Sequence, residues 1–135
     1  STTTQLFTVD KTVPTKTVSI DAIESPLGVV TNFSALRLDT NQTQLLFKGS
    51  LSTPIEAGER VLFSYDNGAN FYAATMDVNG LNWTYDMRSA PALGQALYEL
   101  KVRVEDLAGN YNSGNRQLNV DTQAPTSTAV ISGLG

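Results

Sequence analysis

Apolar and polar residues alternate with a period of two along most of this chain. Between Ala96 and Asp106, Tyr98, Leu100, Val102 and Val104 point one way, and Glu99, Lys101, Arg103 and Glu105 point the other. Successive side chains of an extended strand face opposite sides, so the alternation predicts a half-buried antiparallel strand. Leu81, Trp83, Tyr85 and Met87 give a second strand. Leu45, Phe47, Gly49 and Leu51 give a third, within Thr43–Leu51, and Val61, Phe63 and Tyr65 a fourth, within Arg60–Asp66. Lys16–Ile23 and Gln117–Asp121 read as the first and last strands. No segment carries a helical period, and Pro91 and Gly94 limit Ala90–Ala96 to at most a turn of helix.

Turn formers separate the strands. Asp66-Asn67-Gly68 and Asp77-Val78-Asn79-Gly80 supply residues that tolerate positive φ, as tight hairpins require. Ala57-Gly58-Glu59 opens the Val61 strand, and Asp106-Leu107-Ala108-Gly109-Asn110 precedes the last one. Glu24–Thr40 has few alternating positions and many turn formers, so it reads as a long loop. About seven short antiparallel strands with regular turns predict an all-β sandwich of immunoglobulin type. In that winding, alternate loops gather at opposite poles. The Asp106–Asn110 loop then falls at the N-terminal pole, beside Asp10. The region of Asp21 and Glu24 falls at the C-terminal pole, beside Asp121.

A short segment near the start comes back near the end. Val9-Asp10, Pro14-Thr15, Thr17 and Ile20 are matched by Val120-Asp121, Pro125-Thr126, Thr128 and Ile131, each 111 residues later. Recurrence at one domain length marks a tandem array. The expected division is 1–15 as the end of a preceding repeat and its linker, 16–121 as the domain, and 122–135 as a linker and the start of the following repeat. The prolines in both linkers fix φ and restrict their neighbours, so these linkers should be stiff and extended.

Composition narrows the chemistry. The 135 residues contain no cysteine and no histidine. That removes disulfides, thiolate sites, the commonest general base and the commonest transition-metal ligand. The formal charge of −4 argues against nucleic acid and against an anionic membrane surface, and is compatible with divalent cations or simply with solubility. No run of about eighteen apolar residues is present to span a bilayer, and Ser1-Thr2-Thr3-Thr4 lacks the basic and apolar regions of a signal peptide. No nucleophile elbow or Ser-x-x-Lys pattern stands out. Glu105 and Asp106 are adjacent on a strand and point to opposite faces, so they could not flank one scissile bond. An enzyme is not expected.

Asp66-Asn67-Gly68, Asp77-Val78-Asn79-Gly80-Leu81-Asn82-Trp83-Thr84-Tyr85, the Tyr98–Asn110 stretch ending in Asp-Leu-Ala-Gly-Asn, and Val120-Asp121-Thr122 with Ala124-Pro125-Thr126 together resemble a bacterial Ig-like domain. The resemblance covers essentially the whole chain, and the similar domains are tandem repeats of giant adhesins and biofilm-associated proteins exported by type I secretion. It implies an extracellular or cell-surface spacer, neighbouring Ig-like repeats as partners in the same chain, and host-cell or matrix contacts elsewhere in the parent. It also implies calcium at domain junctions, held by Asp106, Asp10 and Asp121 with Asn110 beside them. Many relatives carry paired acids after the first strand, where this chain has Ile23-Glu24-Ser25-Pro26; a site at that pole would fall to Glu24 and Asp21.

Blander readings stand beside these. Asp106 could serve only its own turn, as an Asx motif with Gly109 at positive φ. Asp66 and Asp77 sit in hairpin turns, and Trp83 on an alternating strand reads as core. No EF-hand spacing is present. A ligand-binding module recognising glycan or protein through loops such as Glu24–Thr40, or an accessory domain of a secreted enzyme, are the alternatives to the spacer.

Overall fold

The computed structural model describes residues 16–123, and all regular structure among them is extended. Ten strands follow in order: β1 Val18–Glu24, β2 Val30–Asn32, β3 Arg37–Thr40, β4 Leu46–Leu51, β5 Arg60–Ser64, β6 Tyr72–Ala73, β7 Thr75–Met76, β8 Asn82–Asp86, β9 Ala96–Glu105 and β10 Tyr111–Val120. They form two five-stranded sheets, ordered β2-β1-β4-β8-β7 and β3-β10-β9-β5-β6. This is the expected Ig-like β-sandwich, with short extra strands in place of some loop.

The alternation read from the sequence marks the face each strand buries. Leu100, Val102 and Val104 of β9 and Phe47 of β4 are fully buried, as are Phe63 and Trp83. Phe63 comes from one sheet and meets Phe47, Trp83 and Tyr85 of the other, with ring centroids 4.7, 5.5 and 5.4 Å away. Each such ring contributes about 1.5–3 kcal/mol through burial, so this cluster is the main adhesive between the sheets.

Ile20, Gly49 and Trp83 lie side by side across β1, β4 and β8. The Trp83 indole Nε1 donates to the Ser19 carbonyl at 2.9 Å. A Cβ at Gly49 would overlap both that oxygen and the indole, so the contact exists because residue 49 has no side chain. Beside it the β1–β4 register shifts between Ile20 and Ala22, a bulge at Asp21.

The stretch Glu24–Thr40 is not one long loop. Its residues Val30–Asn32 form a hairpin with β1, and Arg37–Thr40 cross to the other sheet and pair in parallel with β10. Both are edge strands, and β2 is exposed at every position. β2 has no buried face, and β3 half-buries only Leu38 and Thr40, too short an alternation to stand out in the sequence. The last strand is also longer than Gln117–Asp121: it begins at Tyr111 and pairs with β9 along its whole length. Its first half points polar or small side chains at β1 instead of apolar ones. Asn112 Nδ2 donates to the Lys16 carbonyl at 2.9 Å, and Arg116 Nε to the Ile20 carbonyl at 3.2 Å. Between them Gly114 lets the Val18 carbonyl approach where a Cβ would clash. Arg116 also donates to the Ala35 carbonyl at 2.7 Å, tying the β2–β3 crossing to the same seam.

Gly49→Ala should destabilise the fold by about 3 kcal/mol, and Trp83→Phe by a similar amount. The first overpacks a filled position, and the second leaves the Ser19 carbonyl without its donor. Chemical denaturation checks this; a Gly49→Ala protein within 0.5 kcal/mol of wild type would be incompatible with the indole lying over residue 49.

Candidate functional site

The hydrogen bonds of the chain ends locate the two poles. The Asn112–Lys16 bond sets the start of β1 beside the start of β10, next to the 106–110 turn. Lys16 also pairs with Glu59 and donates to the Pro54 carbonyl, bringing the 52–59 loop to the same N-terminal pole. At the opposite end the Asp121 N–H donates to the Thr40 carbonyl at 2.8 Å. There Gln95 accepts from both the backbone N–H and the hydroxyl of Thr122. Chain entrance and departure are therefore at opposite ends of the sandwich.

Asp106 sits at the N-terminal pole, where the winding places it. Its Oδ1 accepts the backbone N–H of Ala108 at 2.9 Å and of Asn110 at 3.0 Å, and its Oδ2 meets Asn110 Nδ2 at 3.4 Å. Gly109 takes a φ of +89° and donates back to the Asp106 carbonyl. The carboxylate organises its own turn, as the bland reading anticipates. Asp10 lies outside the described residues.

The same device occurs twice more. Asp66 accepts the backbone N–H and side-chain amide of Asn70 at 2.9 and 2.8 Å, around Gly68 at positive φ. Asp77 accepts those of Asn82 at 3.2 and 2.8 Å, around Gly80 at positive φ. In each loop an aspartate opens the turn, a glycine takes the left-handed backbone, and an asparagine closes it. Ser64, fully buried, adds a layer to the first: its hydroxyl donates to Asp66 at 2.7 Å and accepts the Gly68 N–H at 2.9 Å. The hydroxyl of Ser64 and the amide of Asn70 hold the Asp66 carboxyl below its ordinary pKa. The side-chain and backbone N–H groups of Asn82 do the same for Asp77.

At the C-terminal end the expected residues are not drawn together. Asp21 is the bulge residue within β1, and accepts the Ser19 and Ser50 hydroxyls at 2.6 and 2.7 Å. Glu24 closes β1 with one oxygen 3.3 Å from Lys48 and the other 2.9 Å from Arg88. Asp121 accepts the Gln123 N–H at 3.1 Å. Among the described residues no three acidic side chains form a metal-binding group. Calcium needs six to eight oxygens, so Asp106 can supply only part of a site, and Glu24 already has its charge compensated.

The sequence reading missed a cluster on the outer face of the β3-β10-β9-β5-β6 sheet. The Arg103 guanidinium stands between the Phe71 and Tyr111 rings, 4.1 and 4.7 Å from their centroids, and pairs with Glu105 at 3.1 Å. With Lys101, Asn67 and Ser113 these residues line a cleft of about 270 Å³. Only the outward position of Lys101 and Arg103 on β9 hinted at it, because Phe71 reaches the cleft from a loop.

The depressed pKa values of Asp66 and Asp77 make those two turns acid-sensitive. Their contribution is complete above the unfolded value of about 3.9 and is lost as pH falls through the lower folded value. Asp77→Ala should therefore lower the denaturant midpoint at pH 7, with the gap to wild type closing below pH 4. A gap that stays constant down to pH 2 would show that the carboxylate's charge contributes nothing.

No curated protein matches the chain, and no helix among the described residues is long and apolar enough to cross a membrane. Residues 31–122, from β2 to just past β10, match the bacterial Ig-like domain family. That span is well over half of the sequence, and it contains all three aspartate–asparagine turns and the Trp83 strand. The chain belongs to the bacterial Ig-like domain family.

Proposed function

We propose that this domain is a non-catalytic spacer repeat of a large bacterial surface adhesin, stiffened by calcium between successive copies and supporting adhesion and biofilm formation. The observation that carries the reading is the polarity of the chain. Lys16 lies at one pole and Asp121 at the other, and the segment that leaves repeats, 111 residues later, the segment that arrives. Copies joined this way stack end to end, as a spacer requires. A module whose two sheets close on one packed hydrophobic core suits that task.

Asp121 is the counterpart of Asp10 one repeat later. A copy's Asp121 therefore leads to the N-terminal pole of the next, where that copy's Asp106 and Asn110 stand. These residues would hold the calcium, which would supply a charge bridge across the joint. Such a bridge removes hinge freedom that a bare linker keeps. An ion at a hundredfold excess over its dissociation constant adds about 2.7 kcal/mol to the folded state.

A second reading has one observation in its favour. The Lys101–Arg103 cleft, walled by Phe71 and Tyr111, has the aromatic and cationic character that would take a carboxylate-bearing sugar. Saturation-transfer NMR with an acidic monosaccharide tests it: a Lys101→Ala-sensitive signal would support it, and silence from the wild-type protein would remove it.

For the spacer, two copies are joined in the natural register. Calcium should raise their melting temperature by about 5 °C over chelator and narrow the inter-copy angle seen in X-ray scattering. Asp106→Ala in the second copy should abolish most of both effects. Scattering and melting curves that are identical with and without chelator would sink the calcium claim.

A further inference from the structure

Three large hydrophobic side chains stand out in the solvent: Val78 at 98 %, Leu27 at 94 % and Leu107 at 90 % exposure. A single exposed leucine needs no explanation. These three, however, sit on loops at the poles and not on the sheet faces. Leu107 tops the 106–110 turn, and Val78 lies in the 77–81 turn; both loops are at the N-terminal pole. Leu27 lies in the β1–β2 turn at the C-terminal pole.

The two poles differ in chemistry. At the C-terminal pole a cleft of about 270 Å³ is lined by Ile23, Leu27, Val29, Thr40, Gln42 and Leu45. Ile23 and Leu45 are core residues whose surface closes its floor. At the N-terminal pole Leu107 projects past Gly58, which takes a φ of +85° and whose missing Cβ would press on the leucine at 3.0 Å. Leu107 stands at the rim of an open hollow of about 400 Å³ that it shares with Gly58, Arg60 and Glu105. The contrast between the poles is therefore one of chemistry: the C-terminal cleft has an apolar floor, and Leu107 is an exposed apolar side chain at the opposite end.

Resting on the tandem reading above, we propose that the C-terminal cleft receives Leu107 of the following copy, so that successive copies dock directly by an apolar contact besides any ion. The occupant is thus a second copy of this repeat, in the same chain. The path of the chain argues for it. Asp121 is hydrogen-bonded to Thr40, which lines the cleft, so the polypeptide departs from the cleft's own rim. Only residues 122–128 separate Asp121 from Ala129, the counterpart of Val18. That many residues reach at most about 25 Å. So short a tether holds the following N-terminal pole beside the cleft at an effective concentration on the order of millimolar.

Among the described residues no lone cation stands at either surface; the charges left at the joint are the carboxylates of Asp121 and the following copy's Asp106, which solvent or an ion must screen. The cations around Leu107 are already paired, Arg60 with Glu105 at 2.6 Å and Lys16 with Glu59. Those beside the cleft are paired as well, Lys48 and Arg88 both with Glu24. Docking two such surfaces strands no lone cation in a dry interface.

The two-copy protein tests this through its own asymmetry. Leu107 of the second copy and Leu27 of the first face the joint; Leu107 of the first and Leu27 of the second face solvent. Spin labels, one in each copy, report the width of the inter-copy distance distribution in chelator. Leu107→Asp in the second copy, or Leu27→Asp in the first, should broaden that distribution at least twofold. The same substitutions at the two outer positions should leave it unchanged. All four sites are exposed loop positions, and circular dichroism confirms that each variant is folded. Equal effects at inner and outer positions, or none at any, overturn the docking contact. A calcium response that persists in that case leaves the spacer reading standing, whereas positional asymmetry without a calcium response keeps the docking and removes the ion.

Discussion

The sandwich depends on one close approach. Trp83 can reach the Ser19 carbonyl only by crossing residue 49, and it can cross only because residue 49 is glycine. That contact joins β1, β4 and β8 by a side chain as well as by their ladders. It also sets the indole where Phe63 of the opposite sheet meets it. Remove the glycine and the indole must leave; the ring cluster between the sheets then loses its widest member. The packing around the indole thus follows from the absence of one Cβ, because interiors at crystal-like density have no slack to absorb it.

A second close approach closes the side of the sandwich. The N-terminal half of β10 faces β1 with Asn112, Gly114 and Arg116, and the carbonyls of Lys16 and Ile20 accept from the two polar side chains. Where β10 comes this close to β1 there is too little room for large apolar residues and too much backbone to leave unbonded. Side-chain donors meet both demands. Farther along the same strand Leu118 and Val120 return to the core. One strand therefore changes from seam to core along its length.

The three aspartate–asparagine turns show how a carboxylate can hold two kinds of role. Each uses its oxygens to bind the N–H groups that a left-handed glycine leaves pointing inward. In Asp66 and Asp77 both oxygens are firmly engaged by the closing asparagine. In Asp106 the second contact lengthens to 3.4 Å. Of the three turns, the one at Asp106 thus has the longest side-chain contact, beside the exposed Leu107. The geometry that stiffens a loop and the geometry that could join two copies share the same residues.

The sequence by itself determined the architecture, the buried faces of β4, β5, β8 and β9, the turns at Asp66, Asp77 and Asp106, and the placement of the last at the N-terminal pole. Those features are local: alternation, a glycine and an asparagine four or five residues after an aspartate write them into short windows. Tertiary structure alone decided the rest. The edge strands β2 and β3 arise from pairing with β1 and β10, not from their own pattern. Glu24 meets Lys48 because β1 and β4 are neighbours about 5 Å apart in a sheet, while Arg88 reaches Glu24 from the turn after β8 and Phe71 reaches Arg103 from the loop before β6. The cleft at the C-terminal pole is likewise assembled from the β1–β2 hairpin and the stretch from Thr40 to Leu45. All of its lining falls between residues 23 and 45, yet that stretch crosses from one sheet to the other, so only the closed sandwich brings the end of β1 against the end of β3.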